Sequence, residues 1–310
     1  MKIGVNLPDV DELATLGPGG LAAAARHAEQ LGFESVCMPD LINADGSPAL
    51  ESVVALAAAA GATYRVRLGF GVLVLPLRAI AWLAAQIATL QHVSSDRVVL
   101  GIGFGGFPST SIWRAVGIHP ADRGRRTDAA LDVLPRLIAG EPTRLEHEPE
   151  QPVVTLAPPA RVPPLLIGGN SNVAIRRVAR RGDAWFPSLL TPETVSRGAA
   201  RLRELAAEHE RPAPSITVGG HVAIGDDPSA RDAFARSLVE DHGRAAEEAA
   251  QILMTGSPQA VAERFAAYAD AGAERIVLAP IGARWMHHCE LIAEARAALH
   301  PGEPGASATD

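Results

Sequence analysis

The tetrapeptide Gly168-Gly169-Asn170-Ser171, which we call the GGNS turn, contains the residue types that bind phosphate at the start of a helix. It follows the apolar run 165–167 and precedes a helical pattern over 173–181. Two glycines let a phosphate approach the backbone closely, and the first N–H groups of a helix carry partial positive charge. A tight turn in which Asn170 or Ser171 caps the helix explains the same residues without a ligand. The turn by itself leaves both interpretations open.

Two further glycine-rich segments could make room for a flat ring at the ends of strands. Residues 101–106 read Gly-Ile-Gly-Phe-Gly-Gly and include the candidate contacts Gly103 and Gly105. Residues 69–72 read Gly-Phe-Gly-Val and have the same character. Missing side chains would let a ring lie against the backbone, whereas bulged strand ends and flexible loops explain these glycines equally well.

Three polar residues are candidates for contact with a ring, a substrate or a proton. Asp40 and Asn6 lie at the ends of apolar runs, where each could bind a cofactor, act in proton transfer, or simply belong to a solvated turn or cap. His221 lies within a strand pattern whose alternation could direct it inward, either as a catalytic group or as a hydrogen-bonded core histidine. Asp40 and His221 are therefore the candidate catalytic residues, and spacing alone does not decide their roles.

The residue patterns of metal sites and of the common hydrolases are absent from the sequence. His287 and His288 are adjacent on a predicted helix and so point to different faces, while Cys37 and Cys289 match no metal spacing. No Gly-x-Ser-x-Gly, His-Glu-x-x-His or Walker sequence occurs. We expect no metal and two reduced thiols, and hydrolase or nucleoside triphosphatase activity loses its usual support.

Charge and hydropathy restrict the partners and the compartment. The net charge at pH 7 is −7, with acidic and basic residues interspersed, which argues against nucleic acid and anionic membranes as partners. The N-terminus enters a strand pattern directly, without the features of a signal peptide, and no apolar run has the length of a membrane span. We expect a cytoplasmic protein that acts on a small molecule.

Short apolar runs alternate with helical patterns along the chain, the order typical of βαβ units around a parallel sheet. The predicted strands are residues 3–7, 35–38, 66–73, 98–102, 165–167, 184–186, 216–223 and 275–278. The predicted helices are residues 21–31, 49–60, 79–92, 122–138, 173–181, 192–209, 229–253 with 258–271, and 285–299. Eight strands each followed by helix predict a (β/α)8 TIM barrel, whereas a doubly wound open sheet would place a glycine fingerprint after its first strand.

Two stretches outside this order, and a third that overlaps a predicted helix, are expected to determine specificity. Residues 107–121 and 141–164 are predicted insertion loops over the C-terminal face of the barrel, and 226–255 is a third variable region. Residues 1–300 are expected to form a single domain, followed by a disordered tail over 301–310. The candidate pocket residues, each of which could equally be core packing, are Leu41, Phe104, Trp113, Trp185, Trp285 and Met286.

Taken together, these segments resemble the bacterial luciferase-like superfamily, which includes flavin-dependent monooxygenases and deazaflavin-dependent oxidoreductases. The resemblance covers most of the chain and rests on the order and spacing of its segments. These are RLGFGVLVLPLR at 67–78, ATLQHVS at 88–94 leading into RVVLGIG at 97–103, GIHPADRGRRTD at 117–128, PPLLIGGNS at 163–171 and GDAWFP at 182–187.

The resemblance implies a site at the C-terminal mouth of the barrel. The cofactor ring would pack near a bulge in the third strand that often contains a non-proline cis peptide, for which Gly71-Val72 is the matching step. The cofactor phosphate would bind after the fifth strand, which favours phosphate at the GGNS turn. Asp40 matches a ring or substrate contact. Many relatives have histidine at the next position, whereas this chain has Leu41, which cannot exchange a proton and so weakens the deazaflavin interpretation.

The resemblance leaves three functions to compare. We favour a two-component monooxygenase that uses reduced FMN from a separate flavin reductase, with oxygen, on a small organic substrate, because the predicted mouth is apolar and poor in acid–base groups. The first alternative is hydride transfer that depends on coenzyme F420. The second is a non-catalytic barrel subunit or cofactor-binding regulator, which the leucine at position 41 motivates. The family also implies a homodimer.

Overall fold

The computed structural model describes residues 1–106, 110–225, 228–240 and 243–299. Within them, eight parallel strands pair in chain order, and the last pairs with the first, so that the sheet closes into a barrel. The barrel strands are Lys2–Asn6, Ser35–Met38, Arg67–Phe70, Val98–Gly103, Leu165–Gly168, Ala184–Phe186, Ser215–Ile224 and Arg275–Pro280. The predicted TIM barrel is confirmed, and its closure excludes the doubly wound open sheet.

The helices that follow these strands lie on the outside of the barrel, close to their predicted positions. They are Gly20–Gln30, Ser52–Ala62, Ile80–Ser94, Arg123–Ile138, Asn172–Arg181, Pro192–Glu208, Pro228–Glu240 with Ala246–Ile252 and Pro258–Asp270, and Trp285–Ala298. Because each helix returns the chain from one end of a parallel strand to the start of the next, all helix N-termini follow the C-terminal ends of strands. The barrel mouth is therefore the end at which loops and helix N-termini meet.

The third strand is interrupted where the sequence predicted one continuous strand. Arg67–Phe70 pairs with the second and fourth strands, and a separate piece, Leu73–Val74, pairs with Ile102 and Gly103. The peptide bond between Gly71 and Val72 is cis. The bulge and the cis peptide that the resemblance implied at this step are confirmed.

Several short elements escaped the sequence patterns. Val10–Leu16 is a helix that begins at Asp9, whose carboxylate accepts a hydrogen bond from the Glu12 N–H at 2.9 Å. Within the predicted insertions, Ser111–Ala115 is helical, and Thr143–Arg144 pairs antiparallel with Val153–Val154. Met254–Gly256 adds a short parallel strand beside the seventh strand. Elements this short contain too few residues to show the hydrophobic periodicity of a helix or a strand in the sequence.

The strands are buried on both faces, which explains why their sequences are apolar at nearly every position. Neighbouring residues such as Leu166 and Ile167 belong to different buried clusters, one inside the barrel and one between the barrel and the helices. The inner cluster is small and consists of Cys37, Val99, Leu166, Ala184, Phe186 and Val277, with Val72 packed against it.

Some sequence predictions fall outside the described residues. These are the tail 301–310 and parts of two predicted loops, 107–109 and 226–227 with 241–242. The assignment of 1–300 to a single domain stays a prediction. Among the described helices, none combines the length and the apolar character needed to cross a membrane. The described side chains also form no cluster of His, Cys, Asp and Glu suited to a metal ion.

Candidate cofactor site

The GGNS turn connects the fifth strand to the helix Asn172–Arg181 at the barrel mouth, where Gly168 is buried and the other three residues are exposed. Ser171 is the N-cap of the helix, since its Oγ accepts a hydrogen bond from the Ala174 N–H at 3.2 Å. The N–H groups of Asn172 and Val173 have no hydrogen-bond partner in the described parts of the chain, as expected for the first turn of a helix. The cap is therefore present and still leaves two donors for an anion.

Side chains from the next strand and loop hold the GGNS turn in place. The Asn170 amide donates to the Ser188 carbonyl at 2.8 Å and accepts from the Ser188 N–H at 3.3 Å. Trp185 donates its indole N–H to the Gly169 carbonyl at 2.9 Å. Gly169 itself has a φ of 101°, a conformation that favours glycine. The turn is thus fixed in space while its helix N–H groups stay exposed.

Trp185 belongs to the packing between barrel and helix, not to the mouth. Its side chain is 1% exposed, and its ring lies against Gly198 of the helix Pro192–Glu208, where a Cβ atom would collide with it. The sixth strand directs Trp185 outward because Phe186, its neighbour, faces the barrel interior. The expectation that Trp185 lines the substrate pocket is corrected accordingly.

Glycines on the barrel strands, two of them at strand ends, form a smooth floor inside the mouth. A Cβ atom added at Gly103 or Gly168 would lie 2.5 or 3.4 Å from the Val72 side chain, and one at Gly101 or Gly219 would lie 3.3 or 3.4 Å from the ring of Phe186. Backbone and two apolar side chains therefore make up this surface. We call it the glycine floor (Gly101, Gly103, Gly168, Gly219, with Val72 and Phe186), and a planar ring can lie against such a surface.

Asn6 places a buried acceptor beside the glycine floor. Its Oδ1 is buried and has no hydrogen-bond partner among the described residues. A Cβ atom at Gly71 would lie 3.5 Å from this oxygen, so a glycine at 71 keeps the approach open. Buried polar atoms in folded proteins are almost always paired with protein or with ordered water, so this oxygen is free to accept a hydrogen bond from a water or from a bound ligand. This geometry fits a planar cofactor that carries an N–H group.

The Asp40 side chain binds the backbone of the third-strand bulge and Arg78. Its Oδ2 accepts hydrogen bonds from the Val74 N–H at 2.8 Å and from Arg78 at 2.5 Å, and its Oδ1 accepts from Arg78 at 3.0 Å. The Asp40 N–H donates to the Val72 carbonyl at 3.2 Å. The side chain is 4% exposed. Asp40 therefore positions Val72, and its predicted contact with a cofactor or substrate stays a prediction.

The charge on Arg78 is balanced within the same cluster. Burial by itself lowers the pKa of Arg78, but its hydrogen bonds and attraction to Asp40 and Glu51 outweigh this effect and raise the pKa above its ordinary value. Arg78 therefore stays charged, and both Asp40 oxygens accept hydrogen bonds from it. An acid–base role for Asp40 gains no support from this arrangement.

His221 lies on the inner side of the seventh strand, two residues beyond Gly219, which faces Phe186. Its ring stacks on Phe234 of the helix Pro228–Glu240, with 4.5 Å between centroids and 27° between planes. The helix thus extends over the side of the mouth where His221 stands. The inward orientation favours a role at the mouth but does not assign one.

The remaining pocket candidates differ in exposure. Leu41, directly after Asp40, is 49% exposed, whereas Trp113 and Trp285 are buried. The Trp113 ring covers Gly105, so Gly105 supports a loop and does not belong to the floor. Trp285 donates its indole N–H to the Asn6 carbonyl at 2.9 Å and so braces the first strand from outside. Met286 is half-buried against the core.

Sequence reasoning missed the residues that hold the site together. Arg78 and Asp128 lie within the family-like segments, yet nothing in their spacing revealed that they pair with Asp40 and Arg177. Ser188, which holds Asn170, lies just beyond a quoted segment. The sequence signal for these residues was their position in or beside a family-like segment, and that position does not show which side chain each of them contacts.

Known proteins similar to this chain include one solved in complex with FMN and one that depends on F420. A family model described as luciferase-like monooxygenase matches residues 1–299. An uncharacterised protein of Mycobacterium tuberculosis is 30% identical over 211 residues, which cover 61% of this chain and 72% of that protein.

The solved structures that share the fold include two with different cofactors. The oxygenating constituent of 3,6-diketocamphane monooxygenase from Pseudomonas putida, in complex with FMN, has a TM-score of 0.73 and 19% identity, covering 94% of this chain and 96% of that one. An F420-dependent secondary alcohol dehydrogenase with an F420-acetone adduct has a TM-score of 0.79 and 17% identity, covering 96% and 99%.

Proposed function

Because the chain belongs to the luciferase-like monooxygenase family, we propose that it is the oxygenating component of a two-component monooxygenase that receives reduced FMN from a separate reductase. When bound, reduced FMN with O2 supplies one oxygen atom to a small organic substrate and one to water. The observation that carries the proposal is the alignment of three features at one mouth: the unpaired Asn6 oxygen, the glycine floor and the exposed GGNS turn.

Each feature has a distinct task in this proposal. The N–H groups of Asn172 and Val173 bind the phosphate at the N-terminus of their helix. The Asn6 Oδ1 accepts a hydrogen bond from the ring. Val72 and Phe186 pack beneath the ring and exclude water from its lower face, which protects reactive species from hydrolysis.

The end of the second strand favours oxygenation over hydride transfer. In the described structure, the Asp40 carboxylate is bound to Arg78 and to the Val74 N–H, and the next residue is the apolar Leu41. Hydride transfer to or from an alcohol needs a group that exchanges the hydroxyl proton. Oxygen transfer by a reduced flavin depends more on positioning and on a dry site, which this mouth can provide.

Cofactor titration tests this proposal directly. Purified protein is titrated with reduced FMN under anaerobic conditions, with oxidised FMN, and with F420, and the cofactor absorbance and fluorescence are followed. We expect reduced FMN to bind at micromolar concentration or tighter and more tightly than F420. A clear preference for F420 would overturn the proposal, and failure of every cofactor to bind at micromolar levels would favour a non-catalytic barrel.

Replacing Gly169 by valine tests the phosphate turn. Valine is disfavoured at a φ of 101°, so the turn must shift and the helix N–H groups lose their alignment. We expect FMN affinity to fall roughly tenfold or more.

Gly256→Val is the matched control for Gly169→Val. Gly256 has a φ of 103° and precedes Ser257, the N-cap of the helix Pro258–Asp270, so the backbone effect is the same in a different turn. Equal loss of FMN affinity in both variants would show that the Gly169 effect is only structural.

The F420-dependent function remains a second candidate because of His221. Its imidazole stands on the inner face of the seventh strand and could exchange a proton with a substrate hydroxyl. If F420 is the preferred ligand in the titration, this candidate replaces the first, and His221→Asn should then remove a pH-dependent step from hydride transfer.

A further inference from the structure

Two parallel ion pairs connect the helices Arg123–Ile138 and Asn172–Arg181. Arg177 binds Asp128 through Nε at 2.7 Å and Nη2 at 2.9 Å, and Arg181 binds Asp132 at 2.7 Å. The partners are spaced four residues apart on both helices, so the pairs lie one turn apart on the same faces. Arg181 also approaches Asp128 at 3.9 Å. The two pairs have similar chemistry but different neighbours.

Among the described residues, the Arg177 pair contacts the site and the Arg181 pair does not. The Arg177 guanidinium stacks over the ring of Phe104 at 4.7 Å from the centroid. Phe104 in turn lies against Gly169, where an added Cβ atom would be 3.4 Å from its Cε2. Asp128, Arg177, Phe104 and Gly169 therefore form a continuous row, which we call the Asp128 brace. It runs from the helix Arg123–Ile138 to the GGNS turn.

The brace is well suited to rigid positioning. The bidentate contact fixes the plane of the Arg177 guanidinium, and a fixed plane can stack on an aromatic ring. The hydrogen bond and charge of Arg177 lower the pKa of Asp128, although burial opposes this, so Asp128 is ionised at neutral pH. Arg177 is 14% exposed, so water competes little for its contacts. Gly169, whose φ of 101° favours glycine, is the end of the row that belongs to the GGNS turn.

We propose that Asp128, Arg177 and Phe104 are positioning residues that hold the GGNS turn in its phosphate-binding conformation, a role that rests on the proposed function for its ligand. They do not need to contact the phosphate. Their contribution is to reduce the ordering that the turn must undergo when the phosphate binds. Phe104, a candidate for the substrate pocket from the sequence, is thereby assigned to the cofactor side of the mouth.

The test compares FMN with riboflavin, which differ only in the phosphate. Asp128→Asn weakens the bidentate anchor, and Asp132→Asn weakens the neighbouring pair on the same helices without touching Phe104. We expect Asp128→Asn to reduce FMN affinity roughly three- to tenfold while riboflavin affinity stays unchanged. Asp132→Asn should change neither. Equal FMN affinity in the two variants would overturn the proposal.

A direct role for Arg177 as a phosphate-binding cation predicts the opposite result. Release of Arg177 from Asp128 would then leave FMN affinity unchanged or increase it, and Arg177→Lys would preserve it. In the brace, Arg177→Lys weakens FMN binding because an ammonium group cannot reproduce the planar bidentate contact and the ring stacking. Retained FMN affinity in Arg177→Lys would therefore also overturn the proposal.

Hydrogen exchange of the ligand-free protein tests the brace without any cofactor. We expect Asp128→Asn to speed amide exchange at Ala174 and Ile175, whose N–H groups bind Ser171, relative to wild type and Asp132→Asn, because the turn opens more often. Unchanged exchange would overturn the brace whatever the binding data show. If wild type binds FMN and riboflavin equally, the phosphate site of the proposed function is wrong, and the exchange result still decides whether the brace exists.

Discussion

The Asp40 carboxylate holds the bulge of the third strand through Oδ2 and binds Arg78 through both oxygens, although aspartate at this end of a barrel strand is typical of catalysis. The carboxylate bridges the Val74 N–H and Arg78, and the backbone of Asp40 binds Val72. A buried charge that loses its partner is strongly destabilising, because the remaining charge is left in a poorly hydrated place. The residue therefore acts on the site through Val72, which lies on the glycine floor.

Replacing Asp40 by asparagine should destabilise the fold, because the carboxylate has a structural role. Among the described residues, Arg78, 17% exposed, would keep Glu51 as its one charged partner, at 3.3 Å. We expect a loss of about 2–4 kcal/mol in the free energy of unfolding, measured by urea denaturation. Glu51→Gln is the control and should cost about 0.5 kcal/mol, since Glu51 is 35% exposed. Wild-type stability in Asp40→Asn would show that the pair is not structural.

At the scale of elements, arginines close the ends of helices away from the mouth. Arg97 donates to the Ala60 carbonyl at 3.0 Å and to the Thr63 carbonyl at 2.9 Å, at the end of the helix Ser52–Ala62. Arg211 does the same for Asn172–Arg181, with the Ala179 carbonyl at 2.8 Å. Cations at helix C-termini satisfy orphan carbonyls and the helix dipole. These contacts stabilise the end of the barrel opposite the mouth, whereas the candidate site lies at the mouth.

Glu29 provides a pH-dependent contact at the end of the barrel opposite the mouth. Its carboxylate accepts N–H groups of Tyr64 at 3.0 Å, Arg65 at 2.6 Å and Val66 at 2.8 Å. Burial raises the pKa of Glu29, but these hydrogen bonds outweigh it, and the pKa falls below its ordinary value. The contact therefore stabilises the fold above the unfolded-state pKa and is lost as pH falls through the lower, folded-state pKa.

Glu29→Gln should consequently lower stability at pH 7 and lose its effect in acid. We expect a loss of about 1–2 kcal/mol at pH 7, since hydrogen bonds to a charged acceptor are stronger than neutral ones and Glu29 is only half-buried. The difference from wild type should shrink below the ordinary pKa of glutamate. Glu208→Gln, an exposed change near the end of another helix, is the control. A difference that is constant with pH would contradict the assignment.

At the scale of the whole molecule, one outer face differs in composition from the rest. The adjacent helices Ser52–Ala62 and Ile80–Ser94 contain no Asp, Glu, Lys or Arg. Their outward residues include Val54 at 68%, Trp82 at 71% and Val93 at 58% exposure. A helix that is apolar all round is typically buried. A second copy presents the same uncharged surface, so a two-fold pairing would bury no unpaired charge there.

We expect the chain to form a homodimer through this face, and Trp82→Arg tests it. An arginine on the two-fold contact would be buried against its own copy and should convert the dimer to monomer. The measurement is sedimentation or light scattering at micromolar protein concentrations. Val153→Arg, at a residue 56% exposed on the short hairpin, should leave the dimer intact. A monomeric wild type would contradict the expectation.

Local pattern was enough to predict the eight strands, nearly all the long helices and the barrel. Alternating apolar runs and helical periods are encoded over neighbouring residues, and a closed parallel barrel is one of few folds that can bury eight such strands. The GGNS turn was also visible, because the glycines, the cap and the helix that uses them are contiguous in sequence.

Tertiary structure alone decided which side chains meet and in which direction they point. Asp40 finds Arg78 across 38 positions, and Asp128 finds Arg177 across 49. Trp185 faces outward and Phe186 inward because the barrel fixes the pleat of the sixth strand, and a shift of one residue exchanges the two faces. Pairings over such distances depend on closure of the whole barrel. The sequence therefore determined the GGNS turn, and the fold decided what holds it.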